Sequence, residues 1–152
     1  MVYELAAGKS LQEVYSVVQQ TIKAVYPKYY PAEVVDFFCE LHSKEAILKD
    51  IEKGNVCILR EDDRIIGTGS FVENHITRVY VLPKYQKRGC GTYIIKSIEA
   101  EIADKYDKAW LEASLPAALL YEKLGFVTTK HEQYCMKNGA VLVYEIMEKE
   151  FN

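Results

Sequence analysis

The chain is poor in the residues that would tie it to a disulfide scaffold, a metal or a membrane. Its four cysteines, Cys39, Cys57, Cys90 and Cys135, lie far apart and form no CxxC pair. That spacing excludes a disulfide framework and a zinc site, and fits scattered thiols in a reducing compartment. Its three histidines, His42, His75 and His131, lack metal-ligand spacing, so no metal is expected. No apolar run approaches a membrane span. The opening MVYELAAGKSL has neither a basic start nor a long apolar stretch, so no secretory signal is read there and a cytoplasmic location is expected. Charge of one sign is not in excess. A net charge of −3 and a pI near 5.7 argue against a general nucleic-acid binder, although basic residues do gather at 84–88. Neither nucleic acid nor membrane is expected as a partner.

What is present is enough for one domain, residues 1–152, with 49% apolar residues and a core of ordinary size. Tyrosine is frequent, 12 of 152. That excess would suit either a wet pocket or a subunit contact such as a homodimer, and composition does not choose between them.

Residues 76–99, ITRVYVLPKYQKRGCGTYIIKSIE, organise the rest. Ile76 to Leu82 is rich in β-branched and aromatic residues and predicts a strand, which Pro83 ends. Gly89 and Gly91 then open an apolar-periodic helix over 90–103. First-turn amides lack partners and the helix dipole favours negative charge, so residues 86–91 form a seat for phosphate or pyrophosphate. Lys87 and Arg88 add positive charge beside it.

Upstream, Val2 to Leu5 predicts a strand. Ser10 and Glu13 have the pattern of a capping box before a helix with a stripe of Leu11, Val14, Tyr15, Val18, Ile22 and Val25. Pro27 should stop it by Tyr26. Helices over 32–41 and 46–53 follow, with Pro31 at a first helical position. Strands at 56–60 and 65–72 flank a polar turn. Gly67 and Gly69 within the second strand predict a bulge or a close ligand. Downstream come a strand at 109–113, a helix at 116–123, and strands to Met136 and over 140–147, with a two-residue Asn138-Gly139 hairpin. The helix at 90–103 should turn Tyr93, Ile94, Ile98 and Ile102 to the sheet. A mixed sheet with helices on both faces buries this order most simply.

VYVLPKYQKRGCG resembles the acyl-CoA-binding motif of the GNAT superfamily of N-acetyltransferases, whose pattern Arg/Gln-x-x-Gly-x-Gly/Ala is met by Gln86, Gly89 and Gly91. The second matching stretch is SLPAALLYEKLGFV, residues 114–127. The clear resemblance covers 56–149; residues 1–55 match in outline only. It implies an α/β fold with a mostly antiparallel sheet of six or seven strands, splayed between strands four and five. It implies acetyl-CoA as cofactor, with its pyrophosphate on Gln86, Lys87, Arg88, Gly89, Cys90, Gly91 and Thr92. The pantetheine arm would lie along Val79, Tyr80 and Val81, and the Val81 amide would face the acyl carbonyl. Ser114, where many relatives have asparagine, would contact the arm more weakly.

The reaction so implied is transfer of acetyl to a primary amine, on a small molecule or a peptide, by direct attack in a ternary complex. Tyr121 stands where many relatives carry the general acid, and a phenol stays protonated near neutrality. His75 is a candidate base because relatives often place a glutamate about there; Glu73 competes, Glu112 is a third candidate, and no dedicated base is also open. Cys90 as a covalent nucleophile is disfavoured by the direct route. His42 and His131 read as structural or surface residues, and Arg78 as a solvated strand residue. Tyr26, Tyr29, Tyr30 and Tyr134 would line an acceptor site for a cationic amine. A non-catalytic acyl-CoA sensor is the alternative. The dinucleotide fingerprint and the nucleotide-triphosphate loop are both absent.

Overall fold

The computed structural model describes residues 1–152. Seven strands form one sheet: β1 (Val2–Leu5), β2 (Val56–Glu61), β3 (Arg64–Val72), β4 (His75–Val81), β5 (Lys108–Ala113), β6 (Val127–Cys135) and β7 (Val141–Glu150). Their order is β1-β2-β3-β4-β5-β7-β6, and only β4 and β5 run parallel. Helices α1 (Leu11–Val25), α2 (Ala32–Leu41) and α3 (Lys44–Glu52) cover one face; α4 (Cys90–Ala103) and α5 (Leu115–Lys123) cover the other. No helix is long and apolar enough to cross a membrane. The four cysteines are free.

Helices α1 to α4 each bury an apolar stripe, whereas α5 fully buries only Tyr121, and local details depart from the expected ones. Ser10 does not cap α1: it closes a short 3-10 turn with helical backbone angles and its hydroxyl accepts no cap bond. The buried side of α1 is Val14, Val17, Val18, Gln19, Thr21 and Ile22. Pro31 is the residue before α2, extended at ψ 163°. Ser43 does cap α3, accepting from the Ala46 amide at 3.1 Å. On α4, Ile94, Ile95, Ile98 and Ile102 are sealed, while Tyr93 is 45% exposed. The last hairpin is a three-residue loop: Met136 N–H bonds Ala140 O at 2.8 Å and Gly139 N–H bonds Met136 O, with Gly139 at φ 89°. β7 continues to Glu150, paired with Lys108, three residues past the expected end at Met147.

The two glycines of β3 make room for a helix. A Cβ on Gly69 would lie 2.5 Å from Ile94 Cγ2, and one on Gly67 2.9 Å from Ile94 Cδ1. A register shift does fall beside Gly67, but α4 takes the space where a ligand was the alternative.

One irregularity positions the site. The β3–β4 register runs Ser70↔Arg78 and then Phe71↔Ile76, so Thr77 is an extra residue on β4. A bulge bends its strand. Before it, β4 pairs with β5 at His75↔Trp110 and Ile76↔Leu111; beyond it, no pairing with β5 remains. The sheet therefore opens between β4 and β5 from Thr77 onward.

Candidate active site

The opening holds a cavity of about 430 Å³. It passes through the sheet, because its walls come from both faces: Tyr26, Phe38 and His42 from the α1–α3 side, Ala117 and Tyr121 from α5. Strand alternation accounts for this. The Leu82 N–H donates to Ile66 O across to β3 at 2.9 Å. By ladder parity Tyr80 and Arg78 also turn their main-chain groups to β3, while Val79 and Val81 turn theirs to the gap. On the side-chain faces, Tyr80 joins the α1–α3 core and Val81 the α4–α5 core.

The loop after β4 presents bare amides. Gln86 N–H is taken by Pro83 O, and the next main-chain donor with a protein acceptor is Tyr93, bonded to Gly89 O. The six amides of residues 87–92 have no acceptor in the protein. Gly89 is left-handed at φ 83°, and a Cβ there would meet nothing within 4 Å. Lys87 is also left-handed, at φ 62°. The Gln86 side chain donates to Val81 O at 2.9 Å and so ties the loop to the end of β4. Arg88 reaches Glu61 at 3.3 Å and lies over the Tyr85 ring. Cys90 is buried against α4's core, its sulfur 3.8 Å from that of Met1, so it offers only its amide to the loop. Thr92 supplies the last free amide.

Tyr121 is buried in the cavity wall, and its hydroxyl makes no hydrogen bond within the protein. Burial, with a smaller contribution from Tyr26, pushes its ionisation well up, so it stays a proton donor at neutral pH. Ser114 precedes α5 and its hydroxyl accepts from the Tyr26 hydroxyl at 3.2 Å; Tyr26 also meets the Tyr80 hydroxyl at 3.2 Å. These three form a polar string across the opening. Tyr30 lies outside the cavity: its hydroxyl accepts from the Leu115 amide at 2.8 Å and donates to Val143 O at 3.1 Å, pinning the start of α5 and β7. Tyr29 is half exposed and away from the cavity, while Tyr134 lines it and packs on Phe37 at 5.7 Å.

The candidate bases separate. Glu73 is exposed on the β3–β4 hairpin at φ 56° and does not line the cavity. His75 lies at the closed end of the β4–β5 pair, stacked on Trp110 at 3.7 Å. Its Nε2 lies 3.1 Å from Glu112 Oε1. Glu112 does line the cavity, and the hydrogen bond from His75 holds its carboxyl below the usual range against a partial burial penalty.

Two residues read from sequence as bland are part of the wall. Arg78 is buried, with its Nη2 3.1 Å from Asp50, its Nη1 near Ser70 and its Nε donating to His42 Nδ1 at 3.1 Å. His42 follows α2, and its carbonyl accepts from Gln19 at 3.0 Å. Burial, then the Arg78 charge, push His42 down to about 3, so its ring is neutral at physiological pH. Arg78's position between Ile76 and Tyr80 was the one available signal, since an arginine amid apolar strand residues calls for a buried partner.

The sequence pattern of the acetyltransferase (GNAT) domain matches residues 25–151. The chain belongs to the GNAT acetyltransferase family. Among solved structures, the fold is similar to a GCN5-related N-acetyltransferase from Rhodopseudomonas palustris, with TM-score 0.88, 20% identity, 99% of this chain and 95% of that one covered. It is also similar to the PaiA N-acetyltransferase from Thermoplasma acidophilum, solved with coenzyme A, with TM-score 0.76, 20% identity and coverage of 99% and 100%. A third likeness is to YncA, a putative acetyltransferase from Salmonella typhimurium solved with its cofactor acetyl-CoA, with TM-score 0.76, 16% identity and coverage of 100% and 94%. No curated protein sequence matches the chain.

As a GNAT enzyme the protein transfers acetyl from acetyl-CoA to an amine. The residues present fit that donor. An anionic linker needs unpartnered donors and room to approach them, and the 87–92 amides above Gly89 provide both. A pantetheine arm needs a free strand edge, and β4 has one at Val79 and Val81 beyond the bulge.

Proposed function

We propose that this GNAT domain, spanning residues 1–152, acetylates a primary amine inside the β4–β5 opening, with donor and acceptor approaching from opposite faces of the sheet. The observation that carries this reading is the cavity that passes through the sheet at the β4–β5 opening, together with six unpartnered amides in the loop that follows β4. Acetyl-CoA supplies an activated acyl group as a thioester. The amides of residues 87–92 hold its diphosphate, with Lys87 and Arg88 adding charge at the rim. The Val79 and Val81 edge holds the arm, and the Val81 amide donates to the oxygen on which negative charge develops.

On the acceptor side Glu112 receives the ammonium. Its carboxyl is ionised at neutral pH, and the hydrogen bond from His75 further favours the charged form. Glu112, half exposed, takes the amine's proton and passes it to solvent while His75 orients the carboxylate, and we assign the base role to this pair in preference to Glu73. Tyr121 donates a proton to the leaving sulfur and regains one from solvent; its free hydroxyl, kept protonated by burial, suits that role. Tyr26 and Tyr134 are acceptor walls, whereas Tyr30 acts by fixing α5. A formal charge of −3 supports a small or peptide amine over nucleic acid as acceptor.

The test is free-thiol release from acetyl-CoA across an amine panel. Saturable, amine-dependent thiol release is expected, falling as pH drops below the range where amines lose their proton. Calorimetric binding of acetyl-CoA with no thiol release for any amine would identify a sensor module and end the catalytic assignment.

A further inference from the structure

The most informative atom left over is His42 Nε2. The residue is 7% exposed and lines the cavity. Arg78 always carries its protons, so the 3.1 Å contact from its Nε makes His42 Nδ1 an acceptor. The ring's one proton is therefore on Nε2. That N–H has no acceptor in the protein, and it is not sealed: the only fully enclosed unpartnered side-chain atoms are the Tyr3 hydroxyl and Glu99 Oε2. It opens to the cavity. Its setting is rigid, with the main chain held by Gln19 and the ring edge-on to Tyr80 at 5.5 Å.

A fixed N–H at the wall of an apolar cavity selects for an acceptor atom, since an unpaired buried donor costs free energy. An ammonium cannot serve. A substrate amine that displaces water from this N–H therefore binds better when it carries a second, oxygen-bearing group. A carboxylate fits poorly: Arg78 is already neutralised by Asp50, and Glu112 faces the same space with its own negative charge. A carbonyl is neutral and a stronger acceptor than a hydroxyl.

Resting on the amine-acetylation reading above, we infer that His42 reads a neutral carbonyl oxygen of the acceptor. The acceptors are then aminoacyl amides, as small amides or as peptide amino termini, in preference to plain alkylamines. Glu112 takes the amine end and His42 the carbonyl end.

The experiment compares kcat/KM for alaninamide and its hydrocarbon isostere 3-methylbutan-2-amine, in wild type, His42→Phe and His42→Gln. Alanine, alaninol and an alanine-initiated tripeptide are added arms. Comparing ratios between proteins cancels the intrinsic difference between the amines. The amide-to-alkyl ratio should fall about tenfold or more in His42→Phe. It should recover in part in His42→Gln, which can still accept from Arg78 and donate. Acetyl-CoA affinity should not move, which separates this role from a merely structural one. The tripeptide arm decides between small amides and peptide termini as the source. An equal ratio in wild type and His42→Phe overturns the inference, as does better turnover of alanine or alaninol than of alaninamide. Should His42→Phe not fold, the His42 Nε2–H resonance of wild type with bound CoA must shift when alaninamide is added and not when the isostere is; no shift overturns it. Turnover of alkylamines without amide preference defeats this inference alone, whereas no turnover of any amine defeats the catalytic reading, and the resonance still reports on His42.

Discussion

The two sides of the β4–β5 opening are built from different materials. On the α4 side the main chain presents the binding groups: six amides over residues 87–92, arranged by one left-handed glycine and a helix start. On the α1–α3 side the groups are side chains brought from four elements, with Arg78 of β4 joining His42 after α2, Asp50 of α3 and Ser70 of β3. A main-chain site tolerates exchange of its side chains and fails when its backbone geometry fails. A side-chain site behaves the other way, and its specificity can change without disturbing the fold. This arrangement suits an enzyme with an invariant donor and a particular acceptor.

The sharpest exception to that division should be Tyr121, a side chain on the donor side. Tyr121→Phe keeps the ring packing on Phe126 at 5.5 Å and removes only the hydroxyl. Turnover should fall about a hundredfold, as expected for a lost general acid, with acetyl-CoA binding almost unchanged. Steady-state rates beside calorimetry measure both, and full turnover in the variant would remove Tyr121 from the reaction.

A smaller effect tests the main-chain side directly. Gly89→Val places a β-branched residue at φ 83°, where the strain is of order 1–3 kcal/mol although the space is open. CoA affinity should drop about tenfold, and further when Lys87→Glu is added. Arg88→Ala should cost less than about threefold, because that side chain is exposed and already paired with Glu61. Calorimetric titration of the three proteins checks the order. If Arg88→Ala were the more damaging, the division of materials would be wrong.

The same division explains what could be read from the chain alone. Pro83, Gly89 and Gly91 act within a few residues of themselves, so the loop and the bounds of α4 were legible. Gly67 and Gly69 were legible as special, but the reason lies in Ile94 and Ile98, 25 or more residues away. The Thr77 bulge left no mark in composition, and without it the face on which Arg78 lies cannot be assigned. His42 and Arg78 are 36 residues apart and meet only through the tertiary fold. Tyr26 and Tyr30 were singled out as aromatics, but their hydroxyl partners at Ser114, Leu115 and Val143 come from the other half of the chain.

The mildest test concerns the acceptor side's buried histidine and the pH dependence it imposes. His42 takes up its proton near 6.5 when unfolded and only at about 3 when folded. Between those values the unfolded chain binds one more proton than the folded chain. Stability from this group is thus fully present above about pH 6.5 and declines as pH falls toward 3. The slope is about 1.4 kcal/mol per pH unit once the window is entered. Carboxylates, Glu112 among them, add their own losses at lower pH, so urea midpoints should be compared between pH 7.5 and 5. His42→Gln removes the titration while keeping the polar contact to Arg78, so the difference between the two proteins isolates one group. Wild type should lose stability faster than the variant across that interval. Parallel curves would mean that His42 titrates alike in both states, and the neutral N–H on the acceptor wall would lose its physical basis.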